Sequence, residues 1–148
     1  SPRVIGLALG AEDFAREMGL PFRREAEARD LLYVRSSLAC AAAAANVQAV
    51  DAVWTDLNDL DGCAKFAQQG RRLGFTGMSA IHPAQVELIN TSFSPTAEEV
   101  AYCRKVVEAF QAGQARGDGA IAFGGQMLDL PVVERARRVL ALADSLKK

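Results

Sequence analysis

Acidic side chains gather at two places in the chain, Glu12-Asp13 and then Asp56, Asp59 and Asp61, and the single histidine is His82. Each follows an apolar or β-branched run: Val4 to Leu9, Val47 to Thr55, and Phe75 to Ile81. In parallel α/β architectures, ligands bind at the carboxyl ends of the strands. Carboxylates from two such ends suit a hard cation such as Mg²⁺, which takes one or two carboxylates and keeps several waters. Loop carboxylates also cap the helices that follow them. For Asp56, Asp59 and Asp61 position alone favours that plainer role, with Asp61 read as a cap. For Glu12 and Asp13 the two readings balance, because Gly10 lets the backbone turn close to a ligand. One histidine excludes a metal site built from imidazoles, and a lone histidine is more often structural than catalytic.

Two further charges fall where apolar residues are expected. Asp51 lies in mid-strand between Val50 and Ala52. A charge there needs a partner or a wet interior, and a structural ion pair is the favoured reading. Arg35 shares a helical stripe with Leu31, Leu38 and Ala42. Its stem can pack while its head reaches solvent, which is slightly favoured over a guanidinium paired with a carboxylate. Two apparent motifs fail on context. Gly117 to Ala122 fits a dinucleotide GxGxxA pattern but follows a helix and precedes a hairpin. Asp56 to Gly62 resembles a calcium loop, yet its acidic spacing is off by one and Ala67 stands where the bidentate glutamate belongs.

The elements that must hold these residues alternate. Val4 to Leu9 reads as a buried strand ending at Gly10. A long helix rich in Ala, Leu, Glu and Arg runs from about Arg24 to Asn46. Val47 to Thr55 is the second strand. Asp61 opens a helix with Cys63, Phe66, Ala67, Gly70 and Leu73 on one face, stopped by Gly74. Phe75 to Ile81 is a third strand, and Pro83 suits the first turn of the next helix. Such βα units imply parallel strands. After residue 93 the pattern changes. Ser94 or Thr96 caps a helix reaching about Arg116, with Glu98 and Glu99 in its first turn. Gly119 to Phe123 and Gln126 to Leu130 flank Gly124-Gly125 as a hairpin, and Pro131 opens a last amphipathic helix ending in Lys147 and Lys148. The chain thus reads as βα units over residues 1–93 and a helix, hairpin and helix extension over 94–148. A (β/α)8 barrel needs eight strands and at least roughly 200 residues. Three strands are either part of a barrel or a small open sheet whose unpaired edges are a liability.

Composition narrows the class. At 148 residues, length alone predicts one domain, and 50% hydrophobic with 24% charged residues is ordinary for a globular protein. A net charge of -1 and a pI near 5.8 argue against nucleic-acid binding, which needs a basic patch. No apolar run approaches the roughly 20 residues that span a bilayer, and no signal peptide is visible. Cys40, Cys63 and Cys103 form no CxxC pair, so neither a zinc site nor a disulfide framework is expected. A cytoplasmic protein fits, or a mitochondrial one whose targeting peptide has been removed.

Several segments, in order, resemble the citrate lyase beta-subunit-like branch of the HpcH/HpaI aldolase superfamily, nearest its citramalyl-CoA and malyl-CoA lyases. Gly10-Ala11-Glu12-Asp13-Phe14, ending in Met18-Gly19, is similar to the family's metal-binding turn. Val50-Asp51-Ala52-Val53 with Asp56 and Asp59 resembles the next strand and loop. The stretch from Leu73 to Val86, with Ile81-His82-Pro83-Ala84-Gln85, resembles the GFxGKxxIHPxQ signature, and Phe93-Ser94-Pro95 follows it. Gly125-Gln126-Met127-Leu128-Asp129-Leu130-Pro131 resembles GxMIDxP.

The resemblance implies that residues 1–93 are the C-terminal βα units of a TIM-like (β/α)8 barrel lyase with Mg²⁺ held by a glutamate and an aspartate. Asp13 matches the aspartate; the glutamate belongs to an earlier strand that this chain lacks, as does an upstream arginine that binds CoA and carboxylate. It also implies acyl-CoA thioester and 2-oxo acid substrates, and a homo-oligomer, a trimer, in which the residue matching Asp129 reaches a neighbouring subunit for acid–base chemistry. Favourable charge near a helix N-terminus is the plainer role for Asp129. Arg35 matches a family arginine of packing or ion-pair type, and His82 orders the rim. Met78 departs from the signature's lysine, and Leu128 from its isoleucine. Two other readings stand beside the lyase: a non-catalytic half-domain that docks on a full-length homologue, and a keto-acid aldolase of the wider superfamily. The GxMIDxP-like tail argues against the aldolase. The isolated chain is expected to be unstable or self-associating through its open edges.

Overall fold

A computed structural model describes residues 3–21, 28–118 and 120–147. The chain divides into two compact units, residues 1–93 and 94–148, where length alone predicted one domain.

The first unit is a parallel α/β layer. Strands β1 (Gly6–Ala8), β2 (Gln48–Asp51) and β3 (Gly77–Met78) pair in parallel in the order β1-β2-β3. Leu7 pairs with Ala49, and Asp51 with Met78. All three strands are shorter than the apolar runs predicted: each run loses residues at its amino end, and residues 9, 52–55 and 79–81 pass into the segments that follow at the carboxyl end of the sheet. Between β1 and β2 lie helix α1 (Ala11–Met18), a 3-10 turn (Arg29–Leu31) and helix α2 (Leu32–Ala44). The expected long helix therefore starts at Leu32; its residues 24–27 lie outside the described residues. Helix α1 was not expected. Gly10 and the acidic pair behind it open a helix, and Gly19 closes it in the left-handed conformation, φ 66°.

Helix α3 (Leu60–Leu73) follows β2 and α4 (Pro83–Phe93) follows β3. The α3 face turns inward as its spacing predicts, with Cys63, Phe66, Ala67 and Gly70 buried. Phe66 is fully buried in a core with Trp54, Leu31 and Met78, and each such side chain contributes about 1.5–3 kcal/mol by leaving water. Gly74 ends α3 at φ 100°, a backbone angle strained for any side chain.

The second unit holds helix α5 (Ala97–Arg116), a hairpin of β4 (Ile121–Phe123) and β5 (Gln126–Leu128), and helix α6 (Leu130–Ser145). Thr96, rather than Ser94, caps α5 in a reciprocal capping box with Glu99. Gly124 and Gly125 both have positive φ, 58° and 78°, as a two-residue hairpin turn requires. Buried Cys103, Val106, Phe110 and Gly113 line one face of α5 and meet Ile121, Leu128 and Val133. Helix α6 ends before the terminal lysines: Lys147 pairs with Asp144 at 2.9 Å, and Lys148 lies outside the described residues, as does Gly119. Among the described residues, no helix is long and apolar enough to cross a membrane.

Candidate functional site

The carboxyl end of the sheet carries the first acidic pair in the opening turn of α1. Asp13 is exposed, and one of its oxygens stands 3.2 Å from Arg16 one turn on. Gly10 lies beneath it: a Cβ there would sit 3.7 Å from the second Asp13 oxygen. The Phe14 N–H donates to the Gly10 carbonyl at 2.9 Å, which sets the start of the helix. Asp13 is therefore a water-accessible carboxylate on a rigid first turn.

The loop after β2 uses its carboxylates differently. Asp59, not Asp61, is the N-cap of α3: its Oδ1 accepts from the Gly62 N–H at 2.8 Å. Asp61 lies inside the first turn, where its charge suits the helix dipole. The sequence pattern could not separate two aspartates two residues apart. Asp56 accepts from the Asn58 N–H at 3.0 Å, an Asx turn at the loop tip. His82 is exposed, and its Nδ1 accepts from the Ala84 N–H at 3.2 Å at the start of α4.

Two residues without an assigned role in the sequence organise this end. The Gln85 side chain is fully buried; its Nε2 donates to the Trp54 carbonyl at 2.9 Å and its Oε1 accepts from the Ile81 N–H at 3.0 Å. The Trp54 indole N–H donates to the Asp59 carbonyl at 3.0 Å. A Cβ on Gly62 would come within 2.7 Å of the Trp54 ring, so only glycine lets the indole lie against the α3 terminus. The signal for Gln85 was a glutamine in the first turn after Pro83, on the side facing the sheet. Burial decides its role, and burial is not local.

Arg35 and Asp51 meet beneath the sheet's carboxyl end. The Arg35 guanidinium donates from Nη2 at 2.6 Å and from Nε at 3.1 Å to the Asp51 carboxylate, with both side chains fully buried. It also donates to Gln69 and to the Phe66 carbonyl, and stacks 3.9 Å above the Phe66 ring. The reading that sent the Arg35 head to solvent is thus corrected, and the ion pair expected for Asp51 is present. Helix α2 packs its Arg35 face on β2, so no path to water remains. A Cβ at Gly70 would overlap the Asp51 carboxylate, which explains a glycine in mid-helix.

In the second unit, Asp129 is the N-cap of α6, its Oδ1 accepting from the Val132 N–H at 3.1 Å, and it is exposed. In the same unit, α5, β5 and α6 border an open groove of about 240 Å³ with Tyr102, Cys103 and Val132 in its wall. Burial pushes the Cys103 thiol pKa up, Glu99 adds to this and Arg135 opposes it.

Known proteins resemble this chain in sequence and in backbone fold. The family described as HpcH/HpaI aldolase/citrate lyase matches residues 1–83. The chain belongs to this family. It is 42% identical over 144 residues to the citrate lyase subunit beta of Escherichia coli K12, covering 97% of this chain and 47% of that protein. It is 33% identical over 142 residues to the mitochondrial citramalyl-CoA lyase of Rattus norvegicus, covering 96% of this chain and 41% of that one. Its backbone resembles the crystal structure of the Mycobacterium tuberculosis protein CitE in complex with magnesium, acetoacetate and coenzyme A, with a TM-score of 0.79 and 34% identity over 95% of this chain and 52% of that one. The chain spans about half the length of the relatives it matches.

For this HpcH/HpaI member, the donors present fit Mg²⁺ in kind and fall short in number. Asp13 offers a hard carboxylate oxygen open to water. Among the described residues, no group of three or more His, Cys, Asp or Glu side chains could hold a metal ion. Asp56 and Asp59 each spend an oxygen on a backbone N–H.

Proposed function

We propose that this chain is part of a Mg²⁺-dependent carbon–carbon lyase that cleaves, or condenses, a 3-hydroxyacyl-CoA such as citramalyl-CoA or malyl-CoA, giving acetyl-CoA and a 2-oxo acid. The observation that carries the reading is the match to citrate lyase subunit beta along 97% of the chain. The parallel sheet would form part of a (β/α) barrel, with Asp13 at the ligand end. Mg²⁺ would be held there by Asp13 together with a carboxylate from outside this chain; when bound, it would stabilise the enolate of the acyl-CoA as the C–C bond breaks or forms. Asp13 would supply one hard carboxylate ligand, and water would fill positions the protein leaves open. Asp129, exposed ahead of α6, would exchange a proton with substrate in a neighbouring subunit, which favours a homo-oligomer, a trimer. The CitE complex, with magnesium, acetoacetate and coenzyme A, supports this cofactor and substrate class.

A second reading stands beside the first. In it the chain is a non-catalytic half-domain docking on a full-length homologue. The deciding experiment is acetyl-CoA release from citramalyl-CoA and malyl-CoA with Mg²⁺, with and without chelator. Chelator-sensitive release is expected if the chain carries a working site. No release, together with tight binding to a full-length homologue, would replace the lyase by the docking reading.

A further inference from the structure

The loop after β2 and the turn after β3 are joined by one side chain. Gln85 reaches from the first turn of α4 across to both. Its amide nitrogen holds the Trp54 carbonyl at 2.9 Å, and its amide oxygen holds the Ile81 N–H at 3.0 Å. The backbone of Gln85 donates to the His82 carbonyl at 3.0 Å, and His82 in turn accepts from the Ala84 N–H. On the other side, Trp54 is tied to Asp59, whose carboxylate caps α3, and Asp56 turns on Asn58 between them. A buried carboxamide is uncharged and can donate to a carbonyl while accepting from an N–H. A hydrophobic residue of the same size would leave both backbone groups dry and unpaired.

We propose that Gln85 is a positioning residue: its carboxamide locks the two loops at the carboxyl end of the sheet into one body, so that Asp56 and His82 are presented to ligand together. This rests on the reading of that end as the ligand face. Gln85 touches no substrate; it acts through the Trp54 carbonyl and the Ile81 N–H. The chain reports on itself, because Trp54 is its single tryptophan and is almost fully buried.

The test uses the full chain with Gln85→Met and Gln85→Glu. In Gln85→Met, amide exchange in residues 54–60 and 79–84 is expected to rise together, by about tenfold or more for the loss of two buried hydrogen bonds. Exchange in α5 and α6 should stay at the wild-type rate. In Gln85→Glu, a protonated carboxyl still donates to Trp54 and accepts from Ile81, whereas a carboxylate repels the Trp54 carbonyl. Burial raises that carboxyl's pKa. Trp54 emission in this variant should match wild type at acidic pH and depart from it as pH rises through the raised value. The idea is overturned if Gln85→Met leaves either loop unchanged, or if Gln85→Glu shows the same emission–pH profile as wild type. Failure of the lyase assay would remove the ligand-face reading and leave these exchange and emission results standing, so the two failures are separable.

Discussion

Arg35 shows how much a single side chain can commit. With Asp51 it forms a fully buried bidentate pair, and removing one partner leaves an uncompensated charge in the core. Arg35→Leu should lower unfolding stability by about 3–5 kcal/mol in urea titrations, whereas Arg35→Met with Asp51→Leu should recover most of the loss. If the single substitution cost no more than a surface change, the pair would not be buried in solution. The cysteines divide by burial. Cys40 is exposed, while Cys63 and Cys103 are buried. A thiol reagent under native conditions should label Cys40 rapidly and the other two only on unfolding. Burial, then the Asp59 carboxylate, pushes the Cys63 pKa above its ordinary 9.0. As pH rises past 9.0, unfolded thiols release protons that Cys63 and Cys103 retain in the native state. The unfolded state then binds fewer protons, so stability falls. Replacing both cysteines with alanine should flatten that alkaline decline, seen as a smaller shift of the urea midpoint.

Element boundaries depend on caps, and each cap is a local chemical event. Thr96 and Glu99 exchange side-chain and backbone bonds at 2.9 and 3.1 Å, so α5 starts where the pattern Thr-x-x-Glu says it should. Thr96→Ala should destabilise the second unit by about 1 kcal/mol, measurable by circular dichroism in denaturant. Asp59 and Asp61 were not separable in the same way, since both precede the apolar face of α3. Only the Gly62 N–H, within 2.8 Å of Asp59, tells them apart. The strand ends were also illegible. Val53, Trp54 and Thr55 have strand-forming side chains, yet their backbone leaves the ladder because Trp54 turns its carbonyl to Gln85 and its indole to Asp59. Propensity was overridden by two tertiary hydrogen bonds.

For the 148-residue chain taken alone, β1 and β3 lie at the edges of the described three-stranded sheet. Edge strand β1 follows Val4 and Ile5, and Ile5 is 81% exposed. Such an edge invites pairing with another chain. The isolated chain should elute from size exclusion as a concentration-dependent mixture, and Ile5→Lys should move it towards monomer. A strictly monomeric wild type would count against edge pairing. On the proposed lyase reading, in which Asp129 is a general acid–base group, Asp129→Asn should lower citramalyl-CoA cleavage by about 10²–10⁴-fold without altering the far-ultraviolet spectrum. An unchanged rate would return Asp129 to a capping role alone.

Order and type of most elements were determined by sequence alone: alternating apolar runs, glycine stops at Gly74 and Gly124-Gly125, and proline starts at Pro83 and Pro131 act through the local backbone. So was the family, because motifs such as Ile81-His82-Pro83-Ala84-Gln85 lie in consecutive positions. Tertiary structure decided the rest. Gly10 to Phe14 looks like a turn until its N–H groups are seen closing a helix. Arg35 looks like a solvent-seeking arginine until α2, α3 and β2 surround it, 16 residues from its partner in the chain. Gln85 has no local reason to be special; its two bonds reach Trp54, 31 residues away, and Ile81. Local patterns fix backbone conformation because its causes are local, whereas the value of a charge or an amide depends on what excludes water from it, and that is assembled only when distant segments pack.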